Sequence, residues 1–209
     1  MTITAYSQRD PRWAHDGLGD SPSLTIGEAG CLITCVASML TDWGVNTDPG
    51  RLNRWLRTHG GYQNDCLFRF YSVAGLGADL VQHVRCPRTP APIAGINTSL
   101  ATDRAVIAEV DNHPGPPHSA HWIRLLGPVG QDSRDYHIMD PWRQPGAELT
   151  TLLAGYALPG WDAARVITAV AIYQHNTARV ISFPTAAGAA GPTQTSHGIY
   201  PSPDIGGAP

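Results

Sequence analysis

This chain contains no lysine; all 14 of its basic residues are arginine. Alanine, glycine and proline are abundant, and together these usages point to a GC-rich genome, such as that of an actinobacterium or its phage. The 14 arginines face 17 acidic residues, for a net charge of −3. There is no basic excess to neutralise phosphates, so nucleic acid is not an expected partner. No apolar run is long enough to span a bilayer. The opening residues, Met1 to Asp10, lack a basic segment followed by an apolar one, so no signal peptide is expected. Cysteine is scarce too: only Cys31, Cys35, Cys66 and Cys86 occur. They do not form paired C-x-x-C motifs, so neither structural zinc nor another cofactor is expected. A Cys66–Cys86 disulfide has neither spacing nor a secretion signal in its favour. Internal repeats are absent.

With 42% hydrophobic and 15% charged residues in 209, the chain can build one well-cored domain and is not disordered. Pro11, Gly17, Gly19 and Pro22 punctuate the first 26 residues, which read as an extended arm packed on the core by Trp13. Val36, Met39, Leu40 and Trp43 recur at helical spacing, so a buried helix is expected from Cys31 to about Trp43, stopped by Gly44. Asp48 and Pro49 can cap and start a second helix, with Leu52, Trp55 and Leu56 inward and Arg51, Arg54 and Arg57 on a solvated face. A short helical patch is expected at Leu67–Ser72, broken by Gly75 and Gly77. Strands then follow at Leu80–Val84, Ala105–Val110, His121–Leu126, Tyr136–Asp140 and Arg165–Tyr173. Short connections between them imply an antiparallel sheet. Helices first and strands second make the class α+β, with the helices on one side. From about Phe183 the composition becomes rich in Ala, Gly, Pro, Thr and Ser. The expected division is a domain over 1–182 and a tail or linker over 183–209.

Chemistry concentrates around Cys31. A cysteine in the first turn of a helix meets unpaired N–H groups and the positive end of the helix dipole, which favour an anionic sulfur. Gly30, before it, has no side chain to block a substrate backbone. Free cysteine is equally often a small core residue, so a nucleophile needs a base and an orienting group elsewhere. His121 opens a strand directly after a Pro/Gly loop that also holds His113 and His118. Asp140 closes the following strand, where its carboxylate can hold a histidine tautomer. Asp140 before Pro141 is also a common turn signal. Cysteine at a helix start, then histidine and aspartate on neighbouring later strands, is the papain-type order.

These residues resemble the C39-like cysteine peptidases of the papain-like superfamily. The resemblance spans about Tyr6 to Tyr173. It rests on Gln8-Arg9-Asp10-Pro11-Arg12-Trp13, Gly27-Glu28-Ala29-Gly30-Cys31, Asp48-Pro49 with Leu52-Asn53-Arg54-Trp55-Leu56, Gly60-Gly61-Tyr62, His121-Trp122-Ile123 and Asp140-Pro141-Trp142. It implies a papain-like fold, with Cys31 as nucleophile, His121 as base, Asp140 as orienting acid and Gln8 as an oxyanion-hole donor. Cys35 stands where the family more often has a small hydroxyl residue, and packing is its expected role. Asparagine often replaces the aspartate in papain-type enzymes, so Asp140→Asn is expected to be mild. The proline-rich loop from Asn112 to Ala120 is expected to narrow the cleft. The implied activity is hydrolysis of peptide bonds, with bacterial peptidoglycan stems as substrate, in a phage lysin or virion-borne hydrolase. Such a protein would stay cytoplasmic until lysis or travel on the virion. The alternatives are a non-catalytic C39-like module of a phage tail, docking through 183–209, and a related acyl transferase.

Overall fold

The computed structural model describes residues 3–111 and 119–179. The tail at 183–209, and 112–118 of the proline-rich loop with His113 and His118, lie outside them. The N-terminal arm is not extended. It coils through successive turns, with Trp13 and Ala14 both donating to the Asp10 carbonyl. Asp10 starts this coil because its carboxylate accepts the Arg12 N–H at 3.0 Å, a side-chain turn that competes with extended backbone. Trp13 does pack inward, 3% exposed, and its indole N–H donates to the Ser7 carbonyl.

Helix α1 (Ile26–Ala29) precedes α2 (Cys31–Asp42), and Gly30 joins them. Every residue of α2 from Ile33 to Leu40 is buried. At about 1.5–3 kcal/mol per buried large aliphatic side chain, this helix anchors the first half of the fold. It ends where Gly44 adopts a φ of +86°. Helix α3 (Pro49–Thr58) starts as its capping residue dictates, with the Asp48 carboxylate accepting the Arg51 N–H at 2.8 Å. The arginine face of α3 is partly committed: Arg54 and Arg57 pair with Asp16 and Asp20 of the arm, all four side chains well exposed. The Leu67–Ser72 patch is not helical. β1 (Tyr62–Gln63) and β2 (Leu67–Phe68) form a small hairpin, because Asn64 and Asp65 take positive φ and turn the chain there. A 3-10 helix follows at Ser72–Leu76 and contains Gly75.

The main sheet comprises β3 (Ala78–Arg85), β4 (Ala105–Asp111), β5 (Ala120–Pro128), β6 (Tyr136–Met139), β7 (Leu149–Thr151) and β8 (Ile167–His175). Its order is β3-β8-β4-β5-β6-β7 and every pair is antiparallel. The class is thus α+β, with the N-terminal helices on the sheet. The opposite face is covered as well. Ile107, Met139, Ala171 and Tyr173 pack toward α2 and α3. Val106, Ala108, Ile138 and Val170 pack the other way, against three short helices: α4 (Ile93–Ala101), α5 (Leu152–Tyr156) and α6 (Ala163–Val166). Arg165 belongs to α6 rather than the last strand, because Asp162 caps that turn by accepting the Arg165 N–H.

Helix α2 is docked on β5 by buried polar contacts as well as apolar ones. Arg124 donates to Asp42 at 2.6 Å and to the Ser38 hydroxyl at 2.8 Å. Neither charged side chain is more than 7% exposed. Breaking a buried pair by removing one partner typically costs about 3–5 kcal/mol, whereas a surface pair is worth about 0–1 kcal/mol. Asp42→Ala is therefore expected to destabilise the fold by the first amount in urea denaturation, and Arg57→Ala by no more than the second. Equal losses for the two variants would show that the buried pair does not hold α2.

Candidate active site

Cys31 is the first residue of α2 and is partly accessible. Gly30 places it there for a steric reason within the fold. A Cβ on Gly30 would come within 2.6 Å of the Ile26 carbonyl oxygen and 2.9 Å of its Cα. The break between α1 and α2 closes too tightly for any side chain, and that tightness puts Cys31 at the start of a new helix. Gly27 is constrained likewise, its would-be Cβ lying 2.8 Å from the Ala14 carbonyl oxygen of the arm.

His121 occupies the second position of β5, 4% exposed, and Asp140 directly follows β6, 1% exposed. The imidazole Nε2 and Asp140 Oδ1 are 2.9 Å apart. An ionised carboxylate only accepts, so Nε2 carries a proton toward Asp140, which leaves Nδ1 as the ring nitrogen free to act on Cys31. Burial alone would lower the imidazole pKa. The hydrogen bonds to Asp140 and Cys31, with the charge on both, override it and raise His121 to about 9.

Asp140 accepts more than the histidine. Its Oδ1 also takes the Trp142 N–H at 3.0 Å, while Oδ2 takes the Arg143 Nε–H at 3.2 Å and the Tyr156 hydroxyl at 2.7 Å. Burial raises its pKa, but His121 first, then the Tyr156 hydroxyl and the Trp142 N–H, bring it below the ordinary carboxylate value. With its amide oxygen in the Oδ1 place an asparagine still accepts from His121 and Trp142, while its NH₂ gives up the Arg143 bond and turns toward the Tyr156 hydroxyl, which can accept.

Gln8 is 1% exposed rather than on the surface. Its backbone N–H donates to the Pro141 carbonyl at 2.8 Å, and its side-chain Nε2 donates to the Gly27 carbonyl at 2.9 Å. The second bond fixes which end of the amide points into the turn before Cys31. The arm is clamped again one residue earlier, where the Ser7 hydroxyl donates to the Arg143 carbonyl at 2.6 Å.

Cys35 lies one turn below Cys31, fully buried, and donates its S–H to the Trp122 carbonyl at 3.4 Å. Burial pushes its thiol well above the usual value, and the nearby Cys31 and Asp140 add to this. It therefore remains a protonated packing residue. All four cysteines are free thiols.

The fold thus hydrogen-bonds His121 to Asp140, sets Cys31 close enough to the imidazole to raise its pKa, and ties Gln8 to the turns at Gly27 and Pro141. Sequence reasoning missed Tyr156 and Arg143, the additional donors to Asp140. Nothing in the residues around Tyr156 marks it, since α5 is too short to show a period. Arg143, three residues past Asp140, was within reach of a local reading. A cavity of about 560 Å³ opens elsewhere, lined in part by Cys86, Asp111, Trp161 and Arg165, and includes none of the four residues.

No protein-family model matches this chain, and no curated protein does. Among solved structures, one from Bacillus anthracis described as a putative C39-like peptidase aligns with 83% of this chain and 100% of its own. The two share 13% identity at a TM-score of 0.44.

The linked pKa values predict a pH dependence of stability. His121 is raised on folding, so its contribution is fully present below pH 6.5 and is lost as pH rises through about 9. Asp140 is lowered, so its contribution is present above pH 3.8 and is lost as pH falls further. In an NMR titration the His121 imidazole should titrate lower in Cys31→Ala than in the unaltered protein. An unchanged midpoint would disconnect the sulfur from the ring.

Proposed function

We propose that this chain is a cysteine peptidase or amidase. The observation that carries the reading is the buried His121–Asp140 pair at 2.9 Å, with Cys31 at the start of α2 near enough to act on the same imidazole. His121 Nδ1 holds the proton given up by the Cys31 thiol, and the sulfur attacks the carbonyl carbon as a thiolate. The oxyanion that forms is met by the second N–H of the Gln8 amide and by the Cys31 backbone N–H. The imidazolium then gives its proton to the departing amine nitrogen, and the C–N bond breaks. Water, deprotonated by the same imidazole, hydrolyses the thioester and restores the thiol. Asp140 holds the ring in the tautomer that both steps require.

Peptidoglycan peptide stems are the proposed substrate, and a phage lysin or virion-borne hydrolase the proposed setting, with the protein reaching the wall on lysis or on the particle. The C39-like motifs and the lysine-free, GC-rich composition support this. Reactivity supplies the first test. Cys35 and Cys86 are buried, so Cys66 is the control, and iodoacetamide should label Cys31 faster near neutral pH. Turnover supplies the second, as amine release from purified actinobacterial peptidoglycan and from generic peptides. Cys31→Ala should abolish it with an unchanged circular dichroism spectrum, and His121→Ala should be nearly as severe. Gln8→Ala should slow it by roughly one hundred- to a thousandfold, the usual cost of one oxyanion donor. Adding Gln8→Ala to Cys31→Ala should cost nothing more. Transfer to added amines would identify an acyl transferase. Wild-type protein that releases no amine from either substrate would leave the chain as a binding module, with 183–209 as its docking segment.

A further inference from the structure

One cation beside this site has no part in the reaction described above. The Arg9 guanidinium lies flat over the Trp142 indole, its Cζ 3.9 Å from the ring centroid. That indole stands edge-on to the His121 imidazole, at 6.4 Å and 73°. The cation is therefore one ring removed from the imidazole. Both residues are held by the site itself. Arg9 follows Gln8, and its N–H donates to the Ser7 hydroxyl at 3.0 Å. The Trp142 N–H is bound by Asp140. Arg9 is exposed, and among the described residues no carboxylate lies within ion-pair distance of it. Its neighbours differ: Arg12 is paired with Asp10, and Arg143 with Asp140. Stacking occupies one face of the guanidinium and leaves its N–H edge available to a planar, bidentate acceptor.

The imidazole also fixes which part of a substrate this edge would meet. In peptide hydrolysis the ring must reach the departing nitrogen, so the leaving segment passes over it. The indole flanks that same ring edge-on and carries the cation on its face. We propose that Arg9, seated on Trp142, is a specificity-determining residue that binds a carboxylate on the leaving side of the scissile bond. This rests on the peptidase reading. The carboxylate would be either the free C-terminus of the substrate or an acidic side chain.

Two matched peptide pairs separate these sources and test the assignment. The first is acetyl-hexaalanine as free acid and as amide. The second is the amide with Glu or with Gln as its penultimate residue. Wild-type protein should favour the anionic member of one pair by roughly ten- to a hundredfold in kcat/KM, the range for a hydrogen bond to a charged group, with the difference residing in KM. Arg9→Gln should bring that ratio close to one. Arg9→Lys should keep part of it, because the charge survives and the fork does not. A wild-type ratio near one in both pairs, or a ratio unchanged in Arg9→Gln, overturns the assignment. If wild-type protein cleaves none of the peptides, the peptidase reading fails, and calorimetric binding to Cys31→Ala decides this inference separately. Tighter binding of the anionic member, lost when Arg9→Gln is added, supports it. Equal binding of both members, or none, overturns it.

Discussion

The docking of α2 on β5 is the constraint on which the site depends. Cys31, Cys35, Ser38 and Asp42 recur along one stripe of the helix. Below Cys31 each member of the stripe is bonded to β5: Cys35 to the Trp122 carbonyl, Ser38 and Asp42 to Arg124. His121 is the residue just before this contact row. The register between helix and strand is set by directional bonds in a buried interface. Apolar packing alone would tolerate a small slide along the helix axis, and a slide would separate sulfur from imidazole. Asp42 and Ser38 extend the same lock to the arm, bonding the Thr4 N–H and carbonyl respectively.

Asp140 is the second point of convergence. Strand β6 delivers it, α5 supplies Tyr156, and the following turn supplies Trp142 and Arg143. Its own N–H reaches the Glu148 carbonyl beside β7. That turn is also where the arm attaches, through Gln8 to Pro141 and Ser7 to Arg143. Histidine, carboxylate and amide are thus positioned by one compact knot of chain. A buried carboxylate surrounded by donors stays ionised and immobile, which suits an orienting group better than a proton carrier.

Much of this was legible in the residues. The start of α2, the Asp48–Pro49 start of α3, the Gly44 stop and the central strands all follow from periodicity and capping chemistry. Both act within a few residues and need no distant partner. The same local logic singled out Cys31, His121 and Asp140, because helix starts and strand ends are where side chains are held at a site. Two signals were present but unread. Arg124 interrupts an apolar strand, and a charge there demands a buried partner. The run Ala105–Val110 shows no alternation, as expected of a strand covered on both faces.

By itself, then, the sequence determined the class of fold, the places of α2, α3 and the central strands, and three of the four candidate site residues by position. Only the tertiary structure decided that the arm coils and carries Gln8 into the interior. It alone added the second helical layer, assigned Tyr156 and Arg143 to Asp140, and set Arg9 on Trp142. Most of these, Gln8 in the interior, Tyr156 on Asp140 and Arg9 on Trp142 among them, are contacts between segments far apart in the chain. The energy of such contacts comes from partners that local pattern does not reveal.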